Sequence, residues 1–242
     1  MDITFPHHLF YAPPEAFREG EIVFPEDDSH HMLASLRLGA GDLIGATDGM
    51  GKLFRAELLG VRGRRAVARV IEVREVPRPR VSLALYQGLV RPQKMDLIVE
   101  KCVELGAGSI RPILTERSLK RRAGGRVKRW EKIAAAAMKQ SLRAYLPEIL
   151  PLSHIQEATA GMDHFDRVLV AQGPGGGQRL SGEIVSLDEG RLALFVGPEG
   201  GFTHGEIARL ADHGATAFTL GDKRLRSETA AIASVAVIAS SW

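Results

Sequence analysis

The chain has a single cysteine, Cys102, in 242 residues. A lone thiol forms no internal disulfide and no thiolate metal cluster, which fits a reducing compartment, so the cytoplasm is the expected location. The histidine pairs His7–His8 and His30–His31 are adjacent rather than four residues apart and lack clustered carboxylates, so no metal site is expected. No apolar run is long enough to cross a bilayer, and the leading residues do not read as a secretion signal. Two phosphate-binding patterns are also missing. Neither glycine-rich loop places a lysine at P-loop spacing, and "GPGGGQ" lacks the final glycine of the dinucleotide fingerprint.

What remains is a chain that is 45% hydrophobic, enough for a packed core, with a formal net charge of only +3. The charge is unevenly spread. Residues 111 to 143 hold eleven Lys or Arg against two acids, Glu116 and Glu131. A run of this density, broken by glycines at "AGGR", points to a phosphate backbone more than to an ordinary solvated face.

The prolines of "VPRPR" disfavour both helix and strand pairing and predict a linker at 77–80 between a domain over 1–76 and one over 81–242. The first part holds short β-rich runs ("HLFYA", "EIVFP", "DLIGATD", "KLFRAELLGV", "RRAVARVIEV"), a turn signal at Asp48-Gly49 and one short helix that Asp27, Asp28 or Ser29 is placed to cap. This predicts a small β-barrel of five or six strands, an architecture that serves RNA binding and much else.

After the linker, strands and helices alternate, which predicts a mostly parallel α/β sheet. The helix "PQKMDLIVEKCVELG" has Pro92 in its first turn and Gly106 at its end, and puts Cys102 on a core stripe with Met95, Ile98, Val99 and Leu105. A second helix, "RWEKIAAAAMKQSLR", is expected to bury Trp130, Ile133, Ala134, Ala137 and Met138. In the last third, "DRVLVAQ", "RLALFVG" and "ATAFTLG" each run into a special loop: "GPGGG" (173–177), "GPEGGF" (197–202) and "GDKRLR" (221–226). In open parallel sheets, ligands bind where such loops leave the carboxyl ends of strands. Thr203 and Glu206 form a capping box that fixes where the next helix starts. Glu199 in the middle loop repels phosphate and suits a positively charged ligand.

The set "FVGPEGGF" and "LGDKRLRSETAA" resembles the cofactor site of the SPOUT methyltransferase superfamily, and in particular the ribosomal RNA small subunit methyltransferase E family. Similar stretches cover nearly the whole chain: "HHMLASLRLGAGD", "DGMGKLFRAEL", "KMDLIVEKCVELGAGSIRPILTERS" and "KRWEKIAAAAMKQSLRAYLPEI". The resemblance implies a PUA-like β-barrel for RNA binding, then an α/β domain with a trefoil knot that binds S-adenosylmethionine and dimerises. The implied reaction is methylation of N3 of uridine 1498 (RNA numbering) in 16S rRNA. The family usually has Thr where Ser227 stands, Ile where Arg224 stands, and Arg near His7 and His8.

On this resemblance the cofactor would be held by Val170, Gly173, Val196, Gly197, Pro198, Glu199, Gly200, Gly201, Leu220, Gly221, Leu225 and Arg226, with bare glycine backbone allowing close approach. Arg226 would stabilise charge developing on the uracil, and Glu228 would orient it or take the proton; read from the residues alone, "RSE" is also a helix start with Ser227 as cap. Candidate RNA contacts are Arg37, Arg117, Lys120, Arg121, Arg122, Arg126 and Arg143. The final helix, apolar around most of its circumference, fits a homodimer or an ordinary central helix. A noncatalytic RNA-binding or ribosome-assembly protein, or a SPOUT enzyme acting on another nucleotide, are the alternative readings.

Overall fold

A computed structural model describes residues 8–118, 126–181 and 186–241. The chain forms two compact units, one of Met1–Arg78 with Met138–Leu146, the other of Pro79–Ala137 with Pro147–Trp242.

The first unit is built on a six-stranded sheet in the order β1-β4-β5-β6-β3-β2. Its elements are β1 (Leu9–Tyr11), β2 (Phe17–Arg18), β3 (Glu21–Val23), α1 (Glu26–His30), β4 (Leu43–Thr47), β5 (Lys52–Arg62) and β6 (Arg65–Glu75). Alternation along β5 puts Phe54, Ala56 and Leu58 inside, where they pack with Phe10, Ile22, Phe24, Met32 and Ile44. Asp48 closes the β4–β5 turn by accepting from the amides of Met50 and Lys52 at 2.7 and 3.0 Å, and Gly49 supplies φ +72°.

The short helix departs from expectation at its start. It begins at Glu26 behind Pro25, so Asp27 and Asp28 lie in the first turn instead of capping it. Ser29 donates to the carbonyls of Phe24 and Pro25 and accepts from the amide of Ala66, which ties the helix to β6.

Residues 138–146, within the span 81–242 expected for the second domain, group with the first unit. Ala144 O accepts from Thr47 Oγ1 and Gly51 N, Leu146 N donates to Gly49 O, and Tyr145 Oη donates to Val76 O at 2.8 Å. Lys139 pairs with Asp28 at 2.7 Å.

The second unit carries β7 (Val81–Gly88), α2 (Pro92–Glu104), β8 (Ser109–Leu114), α3 (Val127–Gln140, whose last residues join the first unit), β9 (Glu148–Ile149), β10 (Ser153–His154), α4 (Ile155–Ala160), β11 (Arg167–Gln172), β12 (Gln178–Arg179), β13 (Gly190–Val196), α5 (His204–Asp212), β14 (Thr216–Thr219) and α6 (Ser227–Ala239). Its sheet runs β10-β8-β7-β13-β11-β14-β12, with β9 beside β8, and every pairing is parallel. Parallel strands covered on both faces read as near-continuous apolar runs, as "LALFV" does. One face packs Tyr86, Phe195, Ile155, Ala158 and Leu210, with the Tyr86 and Phe195 rings stacked at 4.4 Å. Elsewhere α2 packs against α6. Cys102 is fully buried, and burial pushes its thiol up to about 12, as befits a packing residue.

Candidate cofactor site

Strands β13, β11 and β14 are neighbours and parallel, so the three special loops leave one edge of the sheet side by side. Together they line a cleft formed by 171–173, 196–201, 219–220 and 223–225, closed below by Ser227 and Ala230 of α6. Of the residues expected to hold a cofactor, Gly173, Val196, Gly197, Pro198, Glu199, Gly200, Gly201, Leu220 and Leu225 are all at this cleft. Val170, Gly221 and Arg226 are not among its lining residues. Val170 is buried in the core under α4 and α5, and the wall comes instead from Ala171 and Gln172, further along β11. Gly221, at φ +125°, makes the turn after β14.

The glycines of the middle loop also serve the loop itself. Gly201 has φ +68°, and a Cβ on Gly197 would stand 3.0 Å from the Cα of Gly201. Ligand approach is therefore not their sole physical reason. In the first loop only Gly173 lines the cleft; a side chain on Gly177 would strike the backbone of Ala217 in β14.

A buried polar cluster anchors the floor. Ser227 Oγ donates to Gly197 O at 2.6 Å, and Gln87 Nε2 donates to Ser227 Oγ at 3.0 Å and to Gly88 O at 2.9 Å. Ser227 is therefore the first helical residue, bonded across to the loop, while Arg226 occupies the cap position without a side-chain cap bond. Neither Gln87 nor its role was foreseen; the available signal was a lone amide ending the apolar strand "VSLALYQG". Beside it, a Cβ on Gly88 would come within 2.5 Å of Pro198 N and Cδ.

The charges form a second cluster. Lys94, in the first turn of α2, lies 3.1 Å from Glu228 and 3.5 Å from Glu199. One ammonium thus serves two carboxylates. Burial pushes the Glu228 carboxyl up, but its own backbone amide, Lys94 and Arg226 outweigh this and hold it below the ordinary carboxylate range. The Arg226 carbonyl accepts from Ala230 N at 2.8 Å, while its side chain is exposed and its guanidinium makes no hydrogen bond or ion pair among the described residues. Lys223 and Arg224 add cations at the rim, and Leu225 leaves 39% of its surface open there.

The described candidate RNA contacts belong to both units. Arg37 is exposed on the first unit with φ +57°, and Arg143, in the same unit, has its guanidinium drawn below its ordinary value by burial and is already engaged within the fold. Arg126 immediately precedes α3, and its carbonyl accepts the first amides of that helix. Arg117 spans to the carbonyls of Gly200 and Phe202 at 2.9 and 3.3 Å. Lys120, Arg121 and Arg122 lie outside the described residues. Among the described residues, no group of three or more His, Cys, Asp or Glu is placed to hold a metal, and no helix is long and apolar enough to cross a membrane.

Comparison with known proteins matches two family models to the chain. An RNA methyltransferase domain model matches 77–239, and an RNA methyltransferase PUA domain model matches 24–71. The Ribosomal RNA small subunit methyltransferase E of Bacillus subtilis (strain 168) is 31% identical over 88% of this chain and 87% of its own length; that of a Synechocystis strain is 31% identical over 93% and 75%. The crystal structure of a Ribosomal RNA small subunit methyltransferase E from Neisseria gonorrhoeae, bound to S-adenosyl methionine, superposes with a TM-score of 0.87 at 29% identity, covering 98% of each chain.

Proposed function

The chain belongs to the ribosomal RNA small subunit methyltransferase E family, and from that premise we propose that it transfers a methyl group from S-adenosylmethionine to N3 of uridine 1498 (RNA numbering) in 16S rRNA. It acts in the cytoplasm as a homodimer. The observation that carries this reading is the cleft at the β13, β11 and β14 loops.

The residues there suit this cofactor. The lack of side chains at Gly197, Gly200 and Gly201 lets an adenine edge come close to the loop backbone, although the Gly197 and Gly200 carbonyls are already taken by Ser227 and Arg117, and Val196, Leu220 and the partly exposed Leu225 give apolar walls. Glu199, the one carboxylate lining the cleft, shares Lys94 with Glu228, so its charge is only partly met by that lysine and is placed to face a sulfonium. When bound, the cofactor supplies an electrophilic methyl group on a sulfonium.

The protein must make the uridine nitrogen a nucleophile. N3 carries an imide proton that is mostly retained at neutral pH, so negative charge spreads onto the two carbonyl oxygens as that proton leaves. Arg226, exposed at the start of α6, with a guanidinium that makes no hydrogen bond or ion pair among the described residues, is the cation assigned to those oxygens. Glu228, held ionised, is a weak proton acceptor; its role is to fix Lys94 and steady the Arg226 charge, and the proton passes to solvent. RNA phosphates are met by Arg37, Lys120, Arg121, Arg122 and Arg126.

The test is methyl transfer from tritiated cofactor to small subunits of a strain lacking the enzyme, followed by mass mapping of the RNA. Label at the N3 position of the named uridine is expected. Label at another nucleotide makes this a SPOUT enzyme of different specificity, and a protein that neither binds the cofactor nor transfers label has only the RNA-binding role.

A further inference from the structure

Arg117 opens the basic stretch, where charge alone reads as a phosphate contact. Its surroundings say otherwise. The turn 115–118 is closed on itself: Thr115 N donates to Ser118 Oγ at 3.0 Å, and Ser118 N donates to Thr115 O at 3.1 Å. Glu206, buried, then bolts this turn to the middle loop, because one carboxylate oxygen accepts from Glu116 N and the other from Thr203 N, each at 2.8 Å. Arg117 adds the third fastening through the carbonyls of Gly200 and Phe202. Its stem lies over Gly200 so closely that a Cβ there would stand 3.1 Å from the Arg117 Cβ and 3.3 Å from its Cδ.

Resting on the cofactor reading above, we propose that Arg117, backed by Glu206, is a positioning residue that holds the Gly197–Phe202 loop in its binding shape, and is not a grip on RNA phosphate. The physical need is clear. A loop with three glycines has much conformational freedom to lose, and a ligand that had to order it would bind more weakly. A guanidinium bridging two loop carbonyls orders it beforehand, and charge-assisted bonds are the stronger kind. Both bonds leave one nitrogen, Nη1, so lysine, a single point charge on a shorter stem, reproduces this in part.

The experiment uses the full chain with Arg117→Ala and Arg117→Lys, measuring S-adenosylmethionine binding by calorimetry and small-subunit RNA binding across a salt series. Loss of the two charge-assisted bonds, of which the 2.9 Å one to Gly200 is the stronger, predicts at least about tenfold weaker cofactor binding in Arg117→Ala, partial recovery in Arg117→Lys, and an unchanged salt slope for RNA. Because the side chain is exposed, thermal unfolding should stay near that of the unmodified protein. Cofactor affinity within about twofold of the unmodified protein overturns the proposal, and a salt slope lowered by about one would identify the phosphate contact instead. Failure of the unmodified protein to bind the cofactor would sink the underlying functional reading, and so is told apart.

Discussion

Ser227 Oγ lies 2.6 Å from the carbonyl oxygen of Gly197, a bond that joins the first residue of α6 to the first residue of the middle loop. Gln87 donates to the same hydroxyl from the end of β7, so three elements distant in sequence meet at one buried oxygen. Ser227→Ala leaves the Gly197 carbonyl and the Gln87 amide short of a partner, which costs about 1–3 kcal/mol. Ser227→Thr keeps the hydroxyl and is expected to be tolerated. Urea unfolding of both variants, with cofactor affinity, checks this; equal loss in the two would mean that the hydroxyl is not what matters.

Glu228 gives the fold a definite pH dependence. Burial raises its pKa, but its own amide, Lys94 and Arg226 together bring it below the ordinary 4.5. The unfolded chain therefore takes up the proton first. The stabilisation is fully present above 4.5 and is lost as pH falls through the depressed native value. Glu228→Gln should remove that part of the acid sensitivity, giving a shallower fall of the urea midpoint between neutral and acid pH. Parallel curves for variant and parent would show that the Lys94 pairing contributes nothing.

Gly88 tests how tightly the site is built. It has no positive φ, yet a Cβ there would approach backbone and ring atoms of Pro198 to 2.5 Å. Gly88→Ala must push the middle loop outward, at about 1–3 kcal/mol for overpacking, and should weaken cofactor binding while leaving the first unit intact. Calorimetry together with exchange at the β5 and β6 amides separates the two effects. Unaltered affinity would mean that the loop gives way freely.

Much of this was legible in the chain because the relevant signals are local. Parallel strands buried on both faces appear as apolar runs, so β11, β13 and the loops after them were marked by composition and by the glycines that follow. The Thr203–Glu206 box and Pro92 at a helix start are equally local. What stayed hidden depends on partners far away in sequence. Gln87 and Ser227 are 140 residues apart, and Arg117 and Gly200 are 83 apart. Only the fold reveals that the arginine's carbonyl partners lie in the loop that lines the cleft. The same holds for 138–146: "RAYL" carries no sign that Ala144 and Tyr145 complete the first unit. Ser before an apolar run usually caps a helix, which is why "RSE" also reads as a cap; here Arg226 takes that position and frees the Ser227 hydroxyl to bond across.

Arg226 bears the sharpest prediction for catalysis. It stands next to Ser227, so its backbone is fixed where the cleft ends, yet its guanidinium is exposed and makes no hydrogen bond or ion pair among the described residues. A cation kept free beside a ligand cleft contributes most to a charge that exists only during reaction, and little to the resting complex. Arg226→Ala is therefore expected to lower kcat by about a hundredfold, the range seen when one donor to a developing oxyanion is removed, with cofactor affinity changed by about threefold at most. Single-turnover methyl transfer beside calorimetry separates the two quantities. Raising the pH should partly restore the variant, since deprotonating the uridine imide in solution supplies the negative charge that the arginine otherwise stabilises. Turnover equal to the parent, or a loss confined to cofactor binding, would remove Arg226 from the chemistry and leave it a residue of the rim.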